Sequence, residues 1–323
     1  MFMHDDVVRF VARHSPSRHL ISRYTNAHRQ RIKAELRRVE CQVHDVHFSL
    51  NVNTGDIHGY LCWMYGELEP ELSSLIRYLL PHTRVFLDIG ANVGYYSILA
   101  ATVNPECQIV AFEPAPTTCA RLRDNVRLNG SSHIQVEQVA LGINEGTVQF
   151  EVYEDPAFNA VRTPADAGHP FFTNSQVIDV PCIRLDDYLD KHGVYPDVVK
   201  MDVEGFEYNI LRGAPHLLSG SQAPILFCEV EPLWLKRFGF SSTEIFDYLK
   251  GFGYECFALT PMGLLPRTDS TMGASEFVFA KSTRVDELKR ASALYDAGWR
   301  KIKARVKSAL RPVWQRLRTK LQH

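Results

Sequence analysis

The chain has 323 residues, 45% of them hydrophobic and 23% charged, and a formal net charge of −1. That is ordinary globular composition; it excludes disordered and fibrous classes and allows one large α/β domain with extensions, or two small domains. Seven scattered cysteines with no C-x-x-C pair argue against a disulfide framework and a structural zinc site and favour a reducing compartment. The opening "MFMHDDVVRF" has two acids and no long apolar core, unlike a secretory signal, and no apolar run approaches the roughly 20 residues of a spanning helix.

In chain order, residues 1–40 read as one or two helices rich in Arg and His. Residues 41–63 alternate and favour β structure, and "NTGD" in their middle predicts a hairpin turn. Glu69, Pro70 and Glu71 open a helix through "LSSLIRYLL", with acids where the helix dipole favours them. From Arg84 strands and helices alternate: "VFLDI", a helix over 93–103, "QIVAFE", then a helix ending at Asn129–Gly130. "IQVEQVAL" and "TVQFEVY" are strands, residues 155–178 a long segment with Pro, Gly and Asn, and "VIDVPCI" a further strand. Strand "DVVKMDV", helix "EYNILRGAPHLL", strand "APILFCEVE", helix "STEIFDYLKGFG" and strands "YECFAL" and "ASEFVFAK" complete the pattern. This alternation predicts an α/β fold: a mostly parallel, doubly wound, Rossmann-like sheet with an antiparallel last strand. Residues 1–83 form an N-terminal helix and hairpin extension, 84–283 the main domain and 284–323 a basic C-terminal helix.

Open α/β sheets bind ligands beyond the carboxyl ends of their strands, where strand order reverses. In "FLDIGANVGYYS", Asp88 ends the first strand, and Gly90 and Gly94 allow a tight turn with close backbone approach. The run Gly90-Ala-Asn92-Val-Gly94 does not have the G-x-G-x-x-G spacing of a dinucleotide site, and no P-loop lysine follows. Asp88 would repel phosphate and suits a cofactor with a cationic amine, as S-adenosylmethionine (SAM) has in its methionine part. Glu113 ends the second strand, twenty-five positions on, where a carboxylate accepts both ribose hydroxyls. A glycine turn or a strand-end acid alone has a plain steric or solvated explanation; the combination points to a nucleoside cofactor.

In "VVKMDVEGFE", Asp202 and Glu204 fall at the carboxyl end of a strand expected beside the first. A carboxylate close to a second one has its pKa raised enough to act as a general base. Asp202 is the first candidate and Glu204 the second; the bland alternative is that Asp202 caps the next helix and orients the cofactor. Glu229 and Glu231 end a neighbouring strand, and four acids at one point suit Mg²⁺. Strand-end acids are ordinarily solvated, so no metal is expected.

The segments "FLDIGANVGYYS", "VAFEPAP", "NVRLNG", "VALG", "RLDDYL", "VKMDVEGFEYNILRGA" and "ILFCEVE", in this order over roughly 45–280, resemble the FkbM family of SAM-dependent methyltransferases. The pairing of D-x-G-A-N-x-G with K-x-D-V-E-G is the specific part. The resemblance implies a class I methyltransferase fold and O-methylation of a hydroxyl on a carbohydrate, glycolipid or secondary metabolite. It implies Asp88, Gly90, Asn92 and Gly94 at the methionine end, Glu113 at the ribose, and Asp202 and Glu204 at the reaction centre. Alternatives are a methyltransferase acting on nitrogen or protein, and a membrane-associated SAM-binding protein without turnover. Residues 155–178 lie where the family varies, so acceptor identity does not transfer.

The near-zero net charge hides an asymmetry. Residues 1–40 hold nine Lys/Arg against four Asp/Glu, 284–323 twelve against three, and the middle fifteen against thirty. In 299–321, apolar residues recur at three- and four-residue steps from Trp299 to Leu321 among Lys and Arg, with Pro312 as a kink. Such a helix either lies on an anionic membrane surface or docks on the acidic body or a second subunit. Nucleic acid is not expected as a partner, because the body is acidic. The expected location is the cytoplasm, with peripheral attachment at the inner membrane face through 299–321.

Overall fold

The computed structural model describes residues 32–163, 175–260, 263–267 and 275–294. The helices expected in 1–31, the centre of the 155–178 segment and the amphipathic stretch 299–321 lie outside the described residues.

The chain begins with an antiparallel hairpin, β1 (Leu36–Val43) and β2 (Val46–Asn53). Its turn falls at His44–Asp45, with His44 at φ 55°, not at "NTGD" as the sequence predicts. Asn53-Thr54-Gly55-Asp56 instead leads into helix α1 (Ile57–Tyr65), with Asp56 at its N-cap. "LRRVE" (36–40), read as helix, is strand because alternate residues Val39, Cys41 and Val43 are buried. Helix α2 (Pro70–Leu79) follows, with Pro70 in its first turn and Glu71 behind it.

The main domain alternates β3 (Val85–Ile89), α3 (Tyr95–Val103), β4 (Gln108–Phe112), α4 (Pro116–Leu128), β5 (Ile134–Glu137), then β6 (Ala140–Gly142), β7 (Gly146–Val152), β8 (Ala160–Val161) and β9 (Gln176–Arg184). After α5 (Leu185–His192) come β10 (Val198–Met201), α6 (Glu207–Arg212), α7 (Pro215–Ser219), β11 (Ile225–Glu229), α8 (Pro232–Arg237), α9 (Ser242–Gly251), β12 (Tyr254–Thr260), β13 (Gly263–Pro266), β14 (Glu276–Lys281) and a helix over 282–294, α10. "EYNILRGAPHLL" is two helices rather than one, because Gly213 and Pro215 interrupt it. A capping box of Ser241 and Glu244 starts α9.

Eight strands form one sheet in the order β13-β12-β14-β11-β10-β3-β4-β5. The five from β11 to β5 run parallel, and β14 is antiparallel to both β11 and β12. This is the expected Rossmann-like sheet with an antiparallel last strand. The central strands β3, β4, β10 and β11 are near-continuous apolar runs because both faces are covered. One core joins the hairpin, α1, α2, α3 and the α10 residues Val285, Leu288 and Ala291 to one face. A second core, with α5, α6, α7 and α9, covers the other.

The strands β6-β9-β7-β8 form a separate four-stranded sheet, which strand patterning alone did not separate from the main one. The hairpin docks through two asparagines four residues apart, Asn125 in the last turn of α4 and Asn129 at its C-cap. Asn125 accepts from the Asn51 N–H (2.7 Å), and Asn129 accepts from the Ser49 N–H (3.0 Å) and donates to the Ser49 carbonyl (2.7 Å). Two side chains thus take the place of a neighbouring strand along the β2 edge. Among the described residues, no helix is long and apolar enough to cross a membrane.

Candidate functional site

Strand order reverses between β3 and β10. From β3 the chain moves outward through β4 and β5, then returns to β10 on the other side. A cleft opens there, beyond the carboxyl ends of the strands, as this topology favours.

Its floor is the glycine turn. Gly90 sits at φ +75°, and a Cβ there would meet the Asp202 carbonyl oxygen at 1.8 Å. Gly94 sits at φ +92° and faces Leu122, at 2.3 Å from such a Cβ. Asn92, at φ 50°, lines the cleft, and its backbone N–H donates to Glu113 (2.9 Å). The other Glu113 oxygen accepts from the Ala115 N–H (3.0 Å). Glu113 is 5% exposed, and burial pushes its carboxyl up to about 7 against those two hydrogen bonds.

Asp88 is brought to the same end of the sheet but not to the cleft wall. It is 0% exposed, and its Oδ2 accepts from the Ser97 hydroxyl at 2.6 Å. Burial raises its pKa, and the nearby Lys200 ammonium opposes the rise. Lys200 lies beside Asp88 in the β3–β10 register and reaches Asp202 at 3.0 Å. Burial works against its charge, but Asp202, Asp88 and Glu69 together hold the ammonium protonated.

Asp202 and Glu204 both line the cleft, as expected from their place after β10. Their protonation differs from the sequence expectation. Burial alone would raise Asp202, but Lys200, His58 and the hydrogen bonds from Lys200 and Glu229 together outweigh it, and the carboxyl is held below its usual range. The raised group is Glu204, pushed to about 9 by burial and by the charges of Asp202 and Glu207. Glu229, at the end of β11, is pushed to about 12 by burial and Asp202. Ligand atoms of Asp202, Glu204 and Glu229 lie within 4.8 Å of one another, a spacing that suits a cation. Glu231 stands apart from this group and caps α8, accepting from the Leu233 N–H.

Three wall residues escaped the sequence reading. His58 on α1 places Nδ1 3.5 Å from the Asn92 side-chain nitrogen. Glu69, at the N-cap of α2, accepts from the Tyr96 hydroxyl. Tyr96 lies under the Lys200 ammonium, 5.3 Å from its ring centroid. His58 and Glu69 belong to the segment before the alternating pattern, and only tertiary packing brings them here. Most of the rest of the wall is apolar, with Phe112, Val139, Leu141, Phe150 and Phe206, and Asn159 is polar. The cleft therefore combines an apolar wall with an excess of carboxylates, a poor match for phosphate and a good one for a nucleoside with a cationic tail.

Among curated proteins, the chain is 28% identical over 150 residues to Methyltransferase 1 of Beauveria bassiana, covering 41% of this chain and 59% of the relative. It is 27% identical over 145 residues to the 2-O-methyltransferase NoeI of Sinorhizobium fredii, covering 42% and 59%. It is 29% identical over 160 residues to the hexuronic acid methyltransferase AglP of Haloferax volcanii, covering 48% and 61%. The chain spans about three fifths of the length of these curated relatives. The profile of the Methyltransferase FkbM domain matches residues 88–256, from Asp88 near the end of β3 into β12. That span is more than half of the chain, and the chain belongs to the FkbM methyltransferase domain family.

Proposed function

We propose that this chain transfers a methyl group from SAM to the oxygen of a hydroxyl on a carbohydrate, glycolipid or secondary metabolite. The observation that carries this reading is the cleft between β3 and β10, where the glycine turn, the turn-anchored Glu113 and the pair Asp202–Glu204 converge. Family membership and relatives named as a 2-O-methyltransferase and a hexuronic acid methyltransferase support it.

When bound, SAM supplies a methyl already activated on a sulfonium. Glu113 would hold the ribose, and the turn from Gly90 to Gly94 with Asp202 would hold the methionine end. Holding an acceptor oxygen in line accounts for about 7–11 kcal/mol of barrier lowering in well-oriented reactions. The proton falls to Glu204. Asp202 stays ionised beside Lys200 and orients, whereas Glu204 is protonated in the free protein near neutrality. A cationic ligand brings the Glu204 carboxyl down and makes it a base of suitable strength. The reading assigns the chemistry to 84–283, a supporting wall to 1–83 and a docking element to 284–323. It places the protein in the cytoplasm, with 299–321 on an anionic membrane surface; flotation with anionic liposomes that survives deletion of 295–323 would sink the anchor.

Calorimetric titration with SAM, S-adenosylhomocysteine and NAD tests the central claim. SAM binding weakened about tenfold to a hundredfold by Glu113→Ala is expected, since hydrogen bonds to a charged group contribute about 1.5–3 kcal/mol. No SAM binding to folded wild type, or NAD binding in its place, overturns the proposal.

A further inference from the structure

We infer that Glu69, which lies before the family-matched span, binds the ammonium of the cofactor's amino-acid end and selects for that charged tail. The inference rests on the SAM reading above.

The acid that the sequence offers for this amine, Asp88, is sealed beneath the cleft wall and held by Ser97. Asp202 lines the cleft, but its Oδ2 is taken by Lys200 at 3.0 Å. Glu69 is on the wall, half-buried, on the side of the cleft formed by Tyr96 and Lys200. Its Oε2 is fixed by the Tyr96 hydroxyl, so the carboxylate is oriented before any ligand arrives. The cation nearest by charge, Lys200, serves Asp202 and Asp88 as well as Glu69, which leaves the wall short of positive charge on this side.

The backbone supports the same assignment. Glu69 has φ 36° and ψ 69°, in the left-handed region that a glutamate rarely adopts. Pro70 follows it, and Leu68 before it is buried, so both neighbours hold the residue in place. A glycine would relieve this conformation, but a glycine has no carboxylate. Strain kept at a cleft wall by firm neighbours is the pattern of a functional residue. An ammonium is the charge complement of this carboxylate, and the half-buried setting strengthens the pairing over that in water.

Three ligands separate the outcomes: SAM, S-adenosylhomocysteine and 5′-methylthioadenosine, which lacks the amino-acid tail. Each is titrated by calorimetry into wild type and Glu69→Gln, which keeps an acceptor for Tyr96. The expected result is about tenfold to hundredfold weaker binding of SAM and S-adenosylhomocysteine, with 5′-methylthioadenosine within about twofold of wild type. Unchanged SAM affinity, or equal weakening of all three ligands, overturns the inference. Folded wild type that binds no SAM overturns the functional reading itself. A second test needs no variant: wild type should bind S-adenosylhomocysteine at least about tenfold more tightly than its deaminated analogue. Equal affinity overturns the inference even if Glu69→Gln fails to fold.

Discussion

Asp197 and Asp202 stand at the two ends of one short strand, β10, and have opposite fates. At the amino end, Asp197 accepts from the backbone N–H groups of Arg84 (2.7 Å) and Val85 (3.2 Å) and pairs with the Arg84 guanidinium. Its carbonyl accepts from Arg284 of α10 (2.6 Å). At the carboxyl end, Asp202 has one lysine and crowds against Glu204 and Glu229. Strand starts expose N–H groups that satisfy an acid; strand ends expose carbonyls that do not. Acids at the carboxyl end find donors in turns, as Glu113 and Glu207 do, in a side-chain hydroxyl, as Asp88 does, in a lysine, or in a ligand. The same residue type therefore stitches one end of the sheet together and equips the other for binding.

The sharpest way to break this contrast is Lys200→Met. It leaves Asp88 and Asp202 without their shared cation, and the expected loss is about 3–5 kcal/mol of unfolding free energy. Urea denaturation measures it; a loss below about 1 kcal/mol would mean that the two acids do not depend on Lys200. Next is Gly90→Ala. The positive φ alone costs about 1–3 kcal/mol, and the Cβ must displace the Asp202 carbonyl. A lower melting temperature together with lost SAM binding is expected; normal SAM affinity would separate the turn from the cofactor. At the opposite end, Asp197→Asn removes a charge-assisted tie and should cost about 1 kcal/mol. SAM affinity there should be unchanged, and a weakened affinity would undo the division of labour between the ends.

The smallest effect is in protons. With its carboxyl raised to about 7, Glu113 binds a proton in the folded, ligand-free protein that the unfolded chain has already released. This contribution makes stability fall as pH rises from about 4.5 through 7. A ligand that needs the carboxylate drives the proton off, so SAM affinity should rise over that window and level off above it. Calorimetry at pH 6.5 in buffers of different ionisation enthalpy should show proton release that is smaller by a fraction of a proton in Glu113→Gln than in wild type, the remainder coming from Glu204. Identical heats in both buffers would place the titration elsewhere.

Much of the fold is legible in the sequence because apolar runs such as "VFLDI" and "VVKM" belong only in a sheet covered on both faces. The Gly90–Gly94 turn and the strand-end acids are legible for a similar reason: each has a local geometric demand. What fails locally is ambiguous chemistry. Asn53 to Asp56 suits a hairpin turn and a helix entry equally, and packing of Tyr60, Trp63 and Met64 on α1 decides for the helix. "LRRVE" has good helix formers, yet pairing with β2 makes it a strand. In the site, the protonation of Asp202 depends on Lys200, two residues away and on the same side chain–side chain bond, so it had a readable signal. Glu69 and His58 had none, because only the docking of α1 and α2 brings them to the wall.

Gly90 also bears on how a lineage would record the loss of its chemistry. The space denied to a side chain there is occupied by the Asp202 backbone, not by a ligand. A descendant that kept the fold and abandoned turnover would still need that glycine, since its two loops would still touch. Glu69 is under no such steric demand: its backbone would relax on replacement by glycine, and its contacts with the Tyr96 hydroxyl and the Lys200 charge serve the cleft wall rather than the fold. Telling a working enzyme from an inherited scaffold in this lineage therefore turns on position 69 more than on the signature glycine.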